Sequence, residues 1–332
     1  MGPDDDGGPP ARSFWLRTPG VGEIRTGPLS LPGPADVLVR TLYSGVSRGT
    51  EALVFRGEVP QSQYTAMRAP FQNGEFPGPV QYGYLSVGRV EQGPADLLGR
   101  TVFCLFPHQD RYVVPASAVV PVPAEVPAAR AVLAGAVETA LNATWDAGPL
   151  IGDRIAVIGA GMIGASVAAL LAGLPAARVQ LVDVDPERAA VARTLGVEFR
   201  TPEQADGDCD LVLHASATAA GLARALELLG PEGEVIELSW FGDRTVSLPL
   251  GAAFHSRRLG IRASQVGSVA SARRARRSHA DRLAIALRLL AEPRFDALIT
   301  GESAFDELPT IMPRLASGEL PALCHRIVYP GG

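Results

Sequence analysis

The stretch GAGMIG at 159–164 sets Gly159, Gly161 and Gly164 between an apolar run, RIAVI, and an alanine-rich helical pattern. This order suits a diphosphate. Gly159 permits a tight turn, Gly161 lets the backbone approach a pyrophosphate, and Gly164 allows close packing of helix on strand. Met162 and Ile163 open the helix, whose N-terminus faces the negative charge. The next strand-like run, RVQLV, ends at Asp183, where a carboxylate can accept hydrogen bonds from the adenosine ribose and repel an additional phosphate there. NAD is therefore expected as the cofactor rather than NADP. Arg188 lies within the following helix and is expected at the surface.

Other chemistries are excluded by residue type. All 30 basic residues are arginine, which removes Schiff-base lysines, a Tyr–Lys catalytic pair and a phosphate loop of the Walker kind. The 3 cysteines, Cys104, Cys209 and Cys324, stand far apart without a C-x-x-C pair, so no cysteine-rich metal lobe is expected. A net charge of −5 argues against nucleic acid, and RRARR at 273–277 reads as a solvated helix face. No apolar run reaches the roughly 20 residues of a membrane helix, and the acidic start MGPDDDGGPP lacks the order of a signal peptide. A cytoplasmic protein without membrane partners is expected.

These groups need two kinds of scaffold. From Ser13 to about Pro123, short β-rich runs such as DVLVRTLYSGVS, YLSVGRVEQG and RTVFCLF alternate with Gly and Pro. From there, helical and then alternating strand and helix patterns follow: PAARAVLAGAVETALNATWDAG, RIAVIGAG, RVQLVDVD, PERAAVARTLG, CDLVLHASA, GLARALELLG and GEVIELSWFG. Repeated βα units at this spacing predict an α/β chain with a doubly wound parallel (Rossmann) sheet beside a strand-rich domain.

The combination resembles the medium-chain dehydrogenase/reductase superfamily, which is alcohol dehydrogenase-like, over nearly the whole chain. The strings SGVSRGTE, VQYGYLSVGRV, VFCLFPHQDRYVVP, ETALNA and FHSRRL resemble its branch containing bacteriochlorophyllide 3-hydroxyethyl dehydrogenase. The resemblance implies a GroES-like catalytic domain over 1–137 with a loose tail at 1–12, a Rossmann domain over 138–265, and a return to the first domain over 266–332. It also implies an NAD(P)-dependent oxidoreductase that forms a dimer or tetramer. The family's three catalytic zinc ligands fall at Ser47, Tyr84 and Gly135, with Leu85 in place of a glutamate; none can serve as the usual His or Cys donor, so no zinc is expected. Arg48 and Arg326 match family positions that contact the pyrophosphate, and Thr139 one near the nicotinamide.

Without metal, another group must manage the proton that accompanies hydride transfer. Tyr84, with Ser47, is the expected holder of the substrate oxygen, with Arg48 as the nearest cation to lower its pKa. His108, in loop-like FPHQDRY, is the expected titrating relay, with Glu51 as a further acceptor or a partner for Arg48. The expected reaction joins a secondary alcohol and a ketone of a small polar molecule. The alternatives are reduction of an activated C=C bond, as in quinone-type reductases, and nucleotide binding without catalysis.

Overall fold

The computed structural model describes residues 10–251 and 253–332, which divide into two compact units, one reaching to Gly135 and resuming over Ile299–Gly332, the other spanning Ala136–Leu298. Most of the expected tail, 1–9, lies outside the described residues. Its last part is not loose: residues 10–12 begin a strand, and Ala11 is buried.

The first unit holds β1 (Pro10–Thr18), β2 (Val21–Pro28), β3 (Asp36–Ser47), α1 (Arg48–Phe55), β4 (Asn73–Gly74), β5 (Val80–Gln81), β6 (Ser86–Gln92), β7 (Thr101–Cys104), β8 (Arg111–Pro115), β9 (Val119–Pro121) and α2 (Ala128–Ala131). One sheet has the order β2-β1-β5-β4. β3, β6, β7 and β9 form the other with two strands from the end of the chain. The long strand β3 is buried at nearly every position, as its apolar run DVLVRTLYSGVS requires, and Val37 and Val39 pack with Val90, Val102, Phe106 and Tyr112.

The second unit runs α3 (Ala134–Ala147, from its third residue onward), β10 (Arg154–Ile158), α4 (Met162–Leu171), β11 (Arg178–Val182), α5 (Arg188–Leu195), β12 (Glu198–Arg200), β13 (Cys209–His214), α6 (Ala219–Leu228), β14 (Leu229–Glu237), α7 (Ala253–Ser256), β15 (Gly260–Ala263) and α8 (His279–Leu289). Its sheet has the order β12-β11-β10-β13-β14-β15, and every pairing is parallel. This is the doubly wound arrangement, in which strand order reverses beside β10 and ligands bind beyond the carboxyl ends of the strands.

The chain then re-enters the first unit as β16 (Ile299–Ala304), α9 (Leu308–Ser317) and β17 (Cys324–Val328), which extend the sheet on β3 in the order β16-β17-β3. The return therefore falls at 299, not 266. Residues 266–298 stay with the second unit because Arg282 of α8, 1% exposed, is anchored there by Glu138 of α3 at 3.0 Å and by the carbonyl of Ser268 at 3.2 Å. Asn142 also accepts the Ala270 N–H at 2.9 Å. The stretch Arg273–Arg277 is exposed as expected, but it forms successive turns ahead of α8 rather than a helix.

Candidate active site and dinucleotide turn

In the second unit, β10 ends at Ile158 and the chain turns through Gly159, whose φ of +103° favours glycine. A Cβ there would stand 2.7 Å from the Ser216 nitrogen, and one on Gly164 would meet the Gly159 carbonyl. Both glycines are thus required by close packing. Gly161 differs: it caps α4 with extended backbone, and no heavy atom lies within 4 Å of where its Cβ would stand. The open space in front of the first N–H groups of α4, carried by Met162 and Ile163, fits a diphosphate.

Asp183 follows β11 and ties the turn together. Its Oδ2 accepts the Ala160 N–H at 2.6 Å and its Oδ1 accepts the Asp185 N–H at 2.9 Å. Each carboxylate oxygen keeps a second lone pair for a ribose hydroxyl. Arg188 pairs with Asp185 at 3.1 Å, which holds it in its own turn. Thr139 lies half-buried in α3, beside Glu138.

In the first unit, Ser47 ends β3 and Arg48 begins α1. Glu51, 3% exposed, reaches back over the first turn so that Oε1 accepts the Ser47 N–H at 2.8 Å, while Oε2 lies 2.9 Å from His108 Nε2. His108 Nδ1 is 2.7 Å from Ser44 Oγ, which is 3.0 Å from the Tyr329 hydroxyl. A buried chain therefore runs Ser47, Glu51, His108, Ser44, Tyr329. Gly83 makes room for it, since a Cβ there would stand 3.0 Å from the imidazole.

This changes the role of His108. Its ring is 1% exposed and both nitrogens are occupied, so it is neither a surface group nor one that meets a ligand directly. It orients Glu51, which fixes the start of α1. Ser44 and Tyr329 were not singled out in the sequence. Their link to His108 spans most of the chain and carries no local signal.

Tyr84 is the half-buried group. Its hydroxyl hydrogen-bonds to the side chains of Ser47 and Thr50, and its edge meets the Tyr82 ring at 6.0 Å between centroids. Burial, and then the Glu51 carboxylate, push its pKa up to about 12, and the two hydroxyls offset this only in part. The expected lowering by Arg48 is not what the site provides, because the charge that bears on the phenol is negative. Tyr84 is a neutral hydrogen-bond donor at neutral pH.

The positions matching the zinc ligands do not fit a metal. Ser47 and Tyr84 offer neutral hydroxyls bonded to each other, and Gly135 offers no side chain; a Cβ on it would stand 2.5 Å from Leu85, which is itself buried. Among the described residues, no group of three or more His, Cys, Asp or Glu side chains could hold a metal ion.

Arg326, on β17, does not present its guanidinium for a pyrophosphate. It pairs with Glu302 of β16, donates to the Ala129 carbonyl at 3.3 Å and lies over the Tyr43 ring at 5.3 Å, bracing the sheet around β3. Binding a phosphate would require it to leave these partners.

The second unit also holds His214. It ends β13 fully buried, with Nδ1 2.7 Å from Glu237 Oε2 and Nε2 2.7 Å from Ser216 Oγ. The readable signal is H-x-S at the end of one parallel strand and a glutamate at the end of the next.

The arrangement as a whole is a doubly wound parallel sheet with a glycine turn, joined in one chain to a strand-rich unit with a buried acid–base chain. That is the fold of the alcohol and polyol dehydrogenases among solved structures. L-idonate 5-dehydrogenase from Escherichia coli K-12 matches with a TM-score of 0.78 at 17% identity, covering 96% of this chain and 98% of its own. A short chain alcohol dehydrogenase from Escherichia coli CFT073, in complex with NADH, matches at 0.75 and 16%, covering 97% and 100%. An alcohol dehydrogenase from Thermus sp. ATN1 matches at 0.73 and 23%, covering 96% and 99%. No family model matches the sequence, and no curated protein matches it significantly.

Proposed function

We propose that this protein is a zinc-independent, NAD-dependent oxidoreductase that interconverts a secondary alcohol and a ketone of a small polar molecule. The observation that carries the reading is the Asp183 carboxylate bonded to the backbone of the glycine turn, in front of an open helix N-terminus. One solved structure of the same fold carries NADH, which supports a nicotinamide cofactor.

When bound, the nicotinamide takes up or delivers hydride. Gly161 and the N-terminus of α4 would hold its pyrophosphate, and Asp183 its adenosine ribose. Tyr84 donates a hydrogen bond to the substrate oxygen and stabilises the negative charge that develops there as a carbonyl is reduced. The proton then moves from the phenol, at about 12, to the alkoxide, whose conjugate alcohol is the weaker acid, and the half-buried phenolate regains a proton from solvent. Ser47 and Thr50 hold the phenol, and Glu51 with His108 hold Ser47. A neutral phenol suits reduction better than oxidation, so the ketone is the preferred substrate at neutral pH.

The test is a titration of purified protein with NADH and NADPH, followed by turnover on a panel of polyols, ketones and enones and by metal analysis. Tighter binding of NADH and turnover of ketones without bound zinc are expected. Stoichiometric zinc, or turnover of enones alone, overturns the reading.

A further inference from the structure

We propose that Ser216 is a ligand of the dinucleotide's pyrophosphate, and that His214 and Glu237 position it, so that His214 takes up a proton when the dinucleotide binds. This rests on the dinucleotide reading above and extends it to residues outside the glycine turn. Ser216 lies directly against that turn, since its nitrogen and Cα stand 2.7 and 2.8 Å from where a Cβ on Gly159 would be.

Hydrogen-bond accounting sets the coupling. With Glu237 ionised and His214 neutral, Nδ1–H donates to Glu237 and Nε2 accepts the only proton of the Ser216 hydroxyl. Ser216 Oγ then faces Thr218 Oγ1 at 2.9 Å, and Thr218 Oγ1 already accepts the Gly221 N–H at 3.0 Å. Thr218 donates inward, so Ser216 has nothing to offer an anion. When His214 is protonated, Nε2–H donates to Ser216 Oγ and the serine proton turns outward to a phosphate oxygen. The anion and the proton therefore favour the same state, and by linkage each strengthens the other's binding.

The surroundings isolate this switch. Glu237 is the one titratable group bonded to His214 among the described residues. Around it also lie the Ser239 hydroxyl, the stacked Phe241 ring, the Gly221 backbone of α6 and Ile158 of β10. Glu237 Oε1 is held by the Ser239 N–H at 2.7 Å, which keeps the carboxylate facing the imidazole.

The experiment is calorimetric titration of the full chain with NADH at neutral pH in buffers of different ionisation enthalpy, for wild type, Ser216→Ala and His214→Gln. Expected for wild type is net proton uptake on binding, and affinity that falls as pH rises. Ser216→Ala, its folding checked by urea unfolding, loses that uptake and weakens binding about tenfold, the usual worth of one hydrogen bond to a charged group. His214→Gln loses the uptake as well. If wild type binds NADH without proton uptake, or Ser216→Ala binds as wild type does, this inference fails and the dinucleotide reading stands. If wild type binds neither NADH nor NADPH, both fail.

Discussion

Replacing Asp183 separates the charge of this residue from its hydrogen bonds. A 2′-phosphate on the ribose would bring a negative charge to about 5 Å from the carboxylate, which at an effective dielectric near 20 costs about 3 kcal/mol. Because Asp183 is only half-buried, water screens part of this, leaving roughly a ten- to hundredfold preference for NADH over NADPH. Asp183→Asn keeps an acceptor for the Ala160 N–H, now held at 2.6 Å, but removes the charge, and should weaken NADH about tenfold while NADPH gains. Asp183→Ala also frees the Ala160 and Asp185 N–H groups and should weaken NADH by about 2–3 kcal/mol, roughly 30- to 150-fold. Fluorescence titration of each variant with both nucleotides reads these constants without knowledge of the substrate. Both variants binding NADH within twofold of wild type would refute the assignment of the ribose site.

Tyr84→Phe removes the oxyanion donor and should lower kcat for ketone reduction by about 10²–10³ with the Kd for NADH unchanged; near-normal turnover would show that the phenol does not touch the substrate. With Tyr84 pushed up to about 12, ketone reduction should be level through neutral pH and fall only as the phenol ionises near that value, whereas alcohol oxidation should rise about tenfold per pH unit below it; profiles in both directions check the sign. Glu51→Gln should release the start of α1 and lower kcat/KM, with His108→Asn giving a similar and non-additive loss in a double-mutant cycle, because the two side chains act as one unit. In the second unit, burial raises the Glu138 pKa more than Arg282 lowers it, so Arg282→Met should cost about 3–5 kcal/mol in urea unfolding and Glu138→Gln clearly less, since Arg282 keeps carbonyl acceptors at Val266 and Ser268. Equal losses would contradict that asymmetry.

What could be read from the sequence was whatever repeats along the chain. Strand β3 coincides with the apolar run at 36–47, and the βα alternation from RIAVI onward is the parallel sheet, because periodic burial leaves a periodic trace. The glycine turn was legible for the same local reason. Buried polar partnerships were not. His108 looked like a loop histidine because Ser44 and Glu51 lie far from it in the chain, and the boundary at 299 depends on Arg282 reaching Glu138, 144 positions away. Arg326 matches a family position that meets phosphate, but Glu302, its pairing neighbour across β16 and β17, comes beside it only in the folded sheet.

The contact of Gly135 with Leu85 makes a metal site harder to build here than a count of ligands suggests. Installing cysteine at 47 and histidine at 84 asks only for exchange of side chains, but a thiol at 135 has to displace a leucine that is 1% exposed and that also lies 3.2 Å from where a Cβ on Gly45 would stand. A smaller residue at 85 would relieve that contact. A variant with donors at 47 and 84 alone would give up the tyrosine and still fall short of the three protein ligands of a catalytic zinc site, so the two designs exclude each other.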